Sequence, residues 1–296
     1  MAPVQPEIVP HEKIDGGALA VIAFGGAMPE ALLHVDVPQL GAPLAEVWRS
    51  SSPVARFARE GIALAADGDV ILGALACDDD DPHRAAACVH DRLIAAARAE
   101  GYPHLLRVWN YVRDINGVER GLERYRAFCA GRYEAFARHG YAMRGDLPAA
   151  SAVGMGGGGV ASYFVASRAP AAAVENPRQV NAWEYPPRYG PRSPSFSRAT
   201  RGAGLLFISG TASVVGHETV HAGNVAAQIE ETLVNLDAVV RAGGAEALLM
   251  MKVYVRRAAD YPFIAARLAE MQVPAIFLRA DLCRADLLVE IEAIAR

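Results

Sequence analysis

A sixteen-residue stretch of the chain occurs twice. Arg98–Arg113 (RAEGYPHLLRVWNYVR) and Arg241–Arg256 (RAGGAEALLMMKVYVR) agree at eight positions without a gap, which identifies a tandem duplication. Each copy passes from the end of a helix through a glycine into an apolar run, so each requires helix, turn and strand in that order. The surroundings repeat the order as well. In the first copy a strand over Asp67–Ala76 precedes a helix from about Pro82 to Glu100, and the strand Leu105–Arg113 precedes a helix over Leu122–Phe136. In the second, the strand Gly202–Gly210 precedes a helix whose apolar stripe is Val225, Ile229, Leu233, Leu236 and Val240, ending at Gly243-Gly244, and the strand Leu248–Arg256 follows. Alternating strands and helices make an α/β layer. The expected fold is α/β (α+β), with two tandem domains, each a mixed sheet backed by helices on one face: residues 1–170 and 202–296, joined by a Pro/Arg-rich linker over 171–201.

The stretch Pro274–Arg296 closes the second copy with two strands. Leu287–Ala295 alternates with period two, so Glu290 and Glu292 share one face. By the same parity Phe277, Arg279, Asp281 and Cys283 share a face on the preceding run, and if the two strands are neighbours a cation, a thiol and two carboxylates converge. Followed to their ends, the two copies set Ala161–Arg168 against Val289–Arg296, with Ser162 and Phe164 in the places of Glu290 and Glu292. Only the second copy carries the carboxylates.

Composition narrows the function. The net charge of the 296 residues is -4 and arginine far outnumbers lysine, so no basic stripe marks a nucleic-acid surface and the cations read as individual forks for carboxylates. No leader-like or membrane-length apolar segment is evident, which implies a cytoplasmic protein without membrane contact. The four cysteines lack CxxC or Cys/His spacing, arguing against zinc and against disulfides. Asp78–Asp81 reads as a solvated, dipole-stabilising turn before a helix, so no metal is expected. Gly154–Gly159 has no GK[ST] ending and reads as a hairpin tip. The linker carries aromatics and, over residues 174–201, five arginines, more than a spacer needs; strap and site wall are both open.

The second copy, through FISG, its amphipathic helix, KVYV and VEIEAIA, resembles the YjgF/chorismate-mutase-like fold. The strand that carries an arginine in the imine deaminases of that group reads Pro274-Ala-Ile-Phe-Leu here, away from imine deamination. From about residue 60 onward the chain resembles the chorismatases, with RVWNYV, LERYRAFCAGRYEAF, VNAWEYPPRYGPRSPSFSRAT and SGTASVVGHETVHAGNV as the motifs. That resemblance implies release of pyruvate from chorismate without metal or cofactor, with a small molecule as partner; the oligomeric state stays open, since the fold favours a homo-trimer while a tandem copy can satisfy some of those interfaces internally. An enol ether leaves only after its vinyl carbon is protonated, so a general acid is required, and the resemblance points to Glu290. Its pKa would be raised among apolar walls beside Glu292 or Asp281. Candidate forks for the two substrate carboxylates are Arg132, Arg188 and Arg279, with Tyr125 on the face of Arg132; Gly210 and Ser197 complete the expected wall. Cys283, seven residues before Glu290, marks the subclass that forms 3-hydroxybenzoate, with 4-hydroxybenzoate as a further product. The alternatives are hydrolysis to a dihydroxycyclohexadiene carboxylate and a non-catalytic ligand-binding regulator.

Overall fold

The structure, a computed structural model, describes residues 4–26 and 28–296. Five strands come first: β1 (Val4–Pro10), β2 (Ala20–Phe24), β3 (Leu33–Val35), β4 (Gln39–Leu40) and β5 (Leu44–Ser50). The first repeat comprises β6 (Ala55–Arg59), β7 (Ile62–Ala66), β8 (Val70–Cys77), α1 (Pro82–Ala99), β9 (His104–Arg113), the ribbon β10 (Val118–Glu119) and β11 (Leu122–Glu123), α2 (Arg124–Arg138), β12 (Ala149–Met155) and β13 (Val160–Ser167). The second comprises β14 (Ala172–Val174), β15 (Ala199–Gly202), β16 (Leu205–Ala212), the ribbon β17 (Val214–Val215) and β18 (Glu218–Thr219), α3 (Val225–Ala242), β19 (Leu248–Val255), α4 (Tyr261–Ala269), β20 (Ala275–Arg279) and β21 (Val289–Ala295).

The duplication is visible in the sheets. The first runs β12-β9-β13-β8-β7-β6 and the second β20-β19-β21-β16-β15-β14, with β4 at the outer edge beside β20. Each has a single parallel pair in the same place, β12 with β9 and β20 with β19. Helices cover the outer faces: Phe164, Val108 and Leu64 pack under α1 and α2, and Ile208, Val253 and Ile291 under α3 and α4. The inner faces meet over a core that includes Trp109, Tyr163, Phe207 and Tyr254. The four-stranded sheet β1-β5-β2-β3 forms a third wall, contributing Phe24 and Trp48 to the same core. Trp109 and Tyr163 stack at 4.3 Å between ring centres, offset packing that such rings favour.

Local chemistry explains the element ends. The acidic turn caps α1: Asp81 accepts from the backbone N–H groups of His83 and Arg84, with Pro82 as the first helical residue. Asp79 pairs with Arg84 at 2.7 Å and Asp80 with Arg113 at 2.7 Å. No helix among the described residues is long and apolar enough to cross a membrane.

Three expectations need correction. β20 and β21 are not neighbours, because β19 lies between them. The glycine run before β13 is not a hairpin tip, because β12 and β13 flank β9 and their connection must cross its end. The end-to-end pairing of the two copies is off by one residue at the last strand. Glu290 faces Tyr254 and Glu292 faces Lys252; the counterparts of those partners, Tyr111 and Trp109, face Ala161 and Tyr163. A one-residue slip exchanges the two faces of a strand, which is why Phe164 lies under the helices. The carboxylates still belong to the second copy alone.

Candidate active site

A cavity of about 590 Å³ opens where the second sheet, the start of α2 and the strap between β14 and β15 meet. Its floor is Gly210 and Ala212 of β16 with Glu290 of β21, and Cys283 and Arg284 enter from the loop before β21. Tyr125 and Arg126 close one side; Tyr185, Tyr189, Phe196 and Arg198 of the strap close another. The strap is thus a site wall, and two pieces of the expected linker, β14 and β15, are strands of the second sheet.

Glu290 is 3% exposed. Burial, reinforced by the nearby charge of Glu292, pushes its carboxyl up to about 8, so it is a protonated acid at neutral pH. Gly210 fits this carboxyl: a Cβ there would stand 2.8 Å from Cδ of Glu290 and nearer still to Oε1. Glu292, two residues on, behaves oppositely. Burial pushes it up, but Lys252 and Arg107 outweigh burial and hold it below the usual carboxylate range. Arg107 Nη2 lies 2.6 Å away and Lys252 Nζ 2.7 Å, while Ser151 donates its hydroxyl at 2.6 Å. Two carboxyls on one strand face therefore take different protonation states, an arrangement suited to acid catalysis.

The Cys283 thiol is pushed up to about 12 by burial and then by Glu290; it is an S–H group and not a thiolate. Tyr125 is raised well above the usual phenol range, chiefly by burial and also by Cys129. Cations gather on the strap side. Arg198 donates through Nη2 to Val180 O at 2.7 Å and to the Tyr185 hydroxyl at 2.9 Å, and its buried Nε has no partner among the described residues. The Arg284 guanidinium lies over Tyr189 at 4.6 Å and Tyr185 at 5.4 Å and donates to His217 O at 3.0 Å. Such forks match carboxylate geometry.

Of the residues expected from sequence, Glu290, Cys283, Tyr125, Gly210 and Arg188 line this cavity. Arg188 does so at the rim, where Glu218 holds it at 2.6 Å. Three do not reach it. Arg279 is exposed on a separate depression with Asp36, Arg256 and Asp281, because β19 intervenes and β20 ends at that residue, so strand parity does not carry on to Cys283. Arg132 is wholly buried over Phe128, 5.0 Å from its ring; seven residues beyond Tyr125, it sits roughly 10 Å further along the helix at ~1.5 Å per residue. Ser197 is fully buried, and its neighbours Phe196 and Arg198 take the cavity face. Sequence reasoning missed Arg198, Arg284 and Tyr185. The arginine-rich linker flagged the first region, and Arg284 was adjacent to a residue already singled out. Among the described residues no group of three His, Cys, Asp or Glu side chains is placed to hold a metal ion.

Comparison with known proteins agrees with the fold. The family model described as Chorismatase FkbO/Hyg5-like, N-terminal, matches residues 46–166. The chain is 38% identical to a 3-hydroxybenzoate synthase of Streptomyces hygroscopicus, over 90% of this chain and 85% of that protein. It is 41% identical to a chorismatase of Streptomyces rapamycinicus, over 92% of this chain and 88% of the relative. A chorismatase crystal structure superposes with a TM-score of 0.89 at 32% identity, covering 99% of this chain and 98% of the other.

Proposed function

The chain belongs to the chorismatase family, and from that premise we propose that it converts chorismate to 3-hydroxybenzoate and pyruvate with Glu290 as the general acid. One observation carries the assignment: a carboxylic acid that keeps its proton at neutral pH stands on the wall of a cavity ringed by arginines. Glu290 gives its proton to the vinyl methylene. The ether carbon becomes oxocarbenium-like, the ring–oxygen bond breaks, and its electron pair leaves with pyruvate. The two products together contain every atom of chorismate, so the conversion needs no co-reactant. Arg198 and Arg284 hold the two substrate carboxylates, with Arg188 at the entrance.

The neighbouring ring hydroxyl bonds to the carbon that pyruvate leaves, its proton returning to Glu290, and the epoxide-like intermediate so formed becomes aromatic on opening and losing a ring proton. Cys283, retaining its proton, serves as an S–H donor to the oxygen as the strained ring opens, and Tyr125 stands beside it. The presence of a thiol at this point of the wall favours the hydroxybenzoate outcome over hydrolysis. The second repeat, 202–296, with the strap over 171–201, is the catalytic unit on this reading, and the first, 1–170, closes the site through Tyr125. Cytoplasmic residence belongs to the same reading and is supported by four free thiols. Light scattering decides whether a homo-trimer forms.

The test is to incubate purified protein with chorismate, follow pyruvate with a lactate dehydrogenase couple and identify the aromatic product by NMR. Equal amounts of pyruvate and 3-hydroxybenzoate are expected. A dihydroxycyclohexadiene carboxylate would move the chain to the hydrolytic reaction, and binding without pyruvate above the spontaneous background would make it a regulator.

A further inference from the structure

Behind Glu290, away from the cavity, two cations and two carboxylates are locked together. Lys252 Nζ lies 2.7 Å from Oε1 of Glu292 and 2.7 Å from Oε2 of Glu46, and Arg107 Nη2 lies 2.6 Å from Oε2 of Glu292. All four are no more than 2% exposed. They come from all three sheets: Glu46 from β5, Arg107 from β9, Lys252 from β19 and Glu292 from β21. Glu46 is further fixed by the Tyr163 hydroxyl at 2.7 Å and the Trp48 indole N–H at 2.8 Å. None of the four lines the substrate cavity. Desolvating four ions is costly, and no contact with substrate explains the expense.

The formal charges of the cluster sum to zero. Glu290 faces it from the same side of β21 as Glu292. The other titratable or charged groups around Glu290 include Arg107 from β9, Tyr254 opposite it on β19, Arg256 just beyond β19, Cys283 and Arg284 from the preceding loop, and Glu123, Tyr125, Arg126, Arg188 and Arg198 across the cavity. The cations among these have partners of their own: Arg107 has Glu292, Arg256 has Asp281 at 2.5 Å, Arg284 the strap tyrosines and a carbonyl, Arg126 has Glu123 at 3.0 Å, Arg188 has Glu218 at 2.6 Å, and Arg198 the Val180 carbonyl and the Tyr185 hydroxyl. Lys252 alone divides its charge between two carboxylates. Without Glu46 its whole charge would fall on Glu292, and the interior would carry a net positive charge beside the acid.

We propose that Glu46, on the N-terminal sheet and out of the substrate's reach, is a positioning residue for the reaction: by balancing Lys252 it leaves the charge of Glu292 free to keep the Glu290 carboxyl protonated. The proposal rests on the reading of Glu290 as the acid. It also gives the N-terminal sheet, which lies outside the duplication, a part in catalysis.

The experiment is the pH dependence of kcat/KM for pyruvate release. A positive charge gained near an acid favours its ionised form, so Glu46→Gln is expected to move the alkaline limb down by about one pH unit: roughly fivefold slower than wild type at pH 8, approaching tenfold above pH 9, and close to wild type at pH 6. Glu46→Gln combined with Lys252→Met removes one charge of each sign and returns the limb toward its original position. A folded Glu46→Gln protein that loses activity equally at every pH, or whose limb does not move, overturns the inference. Should Glu46→Gln fail to fold by circular dichroism, carboxyl carbon-13 NMR of the wild-type protein decides: Glu46 and Glu292 ionised and Glu290 protonated at pH 7 is expected, and a protonated Glu46 refutes the proposal. Glu290→Gln separates the two levels of the argument. If it turns over normally the acid assignment fails, whereas an inactive Glu290→Gln with an unmoved limb in Glu46→Gln sinks the role of Glu46 alone.

Discussion

Replacing Glu290 by Gln should make the protein more stable at alkaline pH. The carboxyl sits at about 8 in the folded chain against 4.5 for the free group. Below pH 4.5 both states hold the proton and stability is fully present. Between 4.5 and 8 the unfolded chain gives up a proton that the folded chain keeps, so stability falls as pH rises through that window and the loss levels off above it. At about 1.36 kcal/mol per tenfold, the interval caps the cost at about 5 kcal/mol. The carboxyl borders a water-accessible cavity and its surroundings relax on ionisation, so about 2 kcal/mol is the expected share. Gln is nearly the same shape and neutral throughout, and it escapes the cost. Scanning fluorimetry at pH 4 and pH 9 reads the difference: Glu290→Gln should match wild type within a degree or so at pH 4 and melt roughly 4–8 °C higher at pH 9. An equal difference at both values, or a variant less stable at pH 9, would refute a buried protonated acid.

Other substitutions probe the surrounding wall. Gly210→Ala puts a methyl into the space of the Glu290 carboxyl and must displace it by roughly 1 Å, enough to lower kcat by about 100-fold; because the displaced atoms end a side chain, Tm should change little, and an unchanged kcat would show that the carboxyl position is unimportant. Arg198→Met and Arg284→Met each remove a charge-assisted bond to substrate, expected to raise KM by about ten- to a hundredfold with a smaller change in kcat. An unaltered KM would place the carboxylate forks elsewhere. Cys283→Ala acts after pyruvate has left, so pyruvate release should stay within about twofold of wild type while the share of 3-hydroxybenzoate, measured by chromatography, falls; an unchanged product profile removes the thiol from the mechanism.

Much of the fold was legible in the chain because duplication and periodicity are local signals. Arg98–Arg113 against Arg241–Arg256 exposed two equivalent sheets, and the alternation along Leu287–Ala295 placed Glu290 and Glu292 on one inner face. What failed was strand order. Nothing in Pro274–Arg296 says that β19 will insert between its two strands, and that insertion carries Arg279 away from Glu290. Arg132 failed for distance: a helical face predicts direction, and two turns still separate it from Tyr125. The strap arginines were noticed as a group, but choosing Arg198 over Arg188 depends on which one the chain folds under Tyr185. Glu46 gave no signal, since its partner Lys252 lies 206 residues away in the chain.

The most direct test of the central claim compares chorismate turnover by wild type and Glu290→Gln under saturating substrate, with chorismate binding measured in parallel by calorimetry. General acid catalysis contributes about 10²- to 10⁴-fold. The account predicts that Glu290→Gln binds chorismate with little loss while pyruvate release falls by at least about a hundredfold, and it is contradicted if the variant releases pyruvate at a rate near that of wild type.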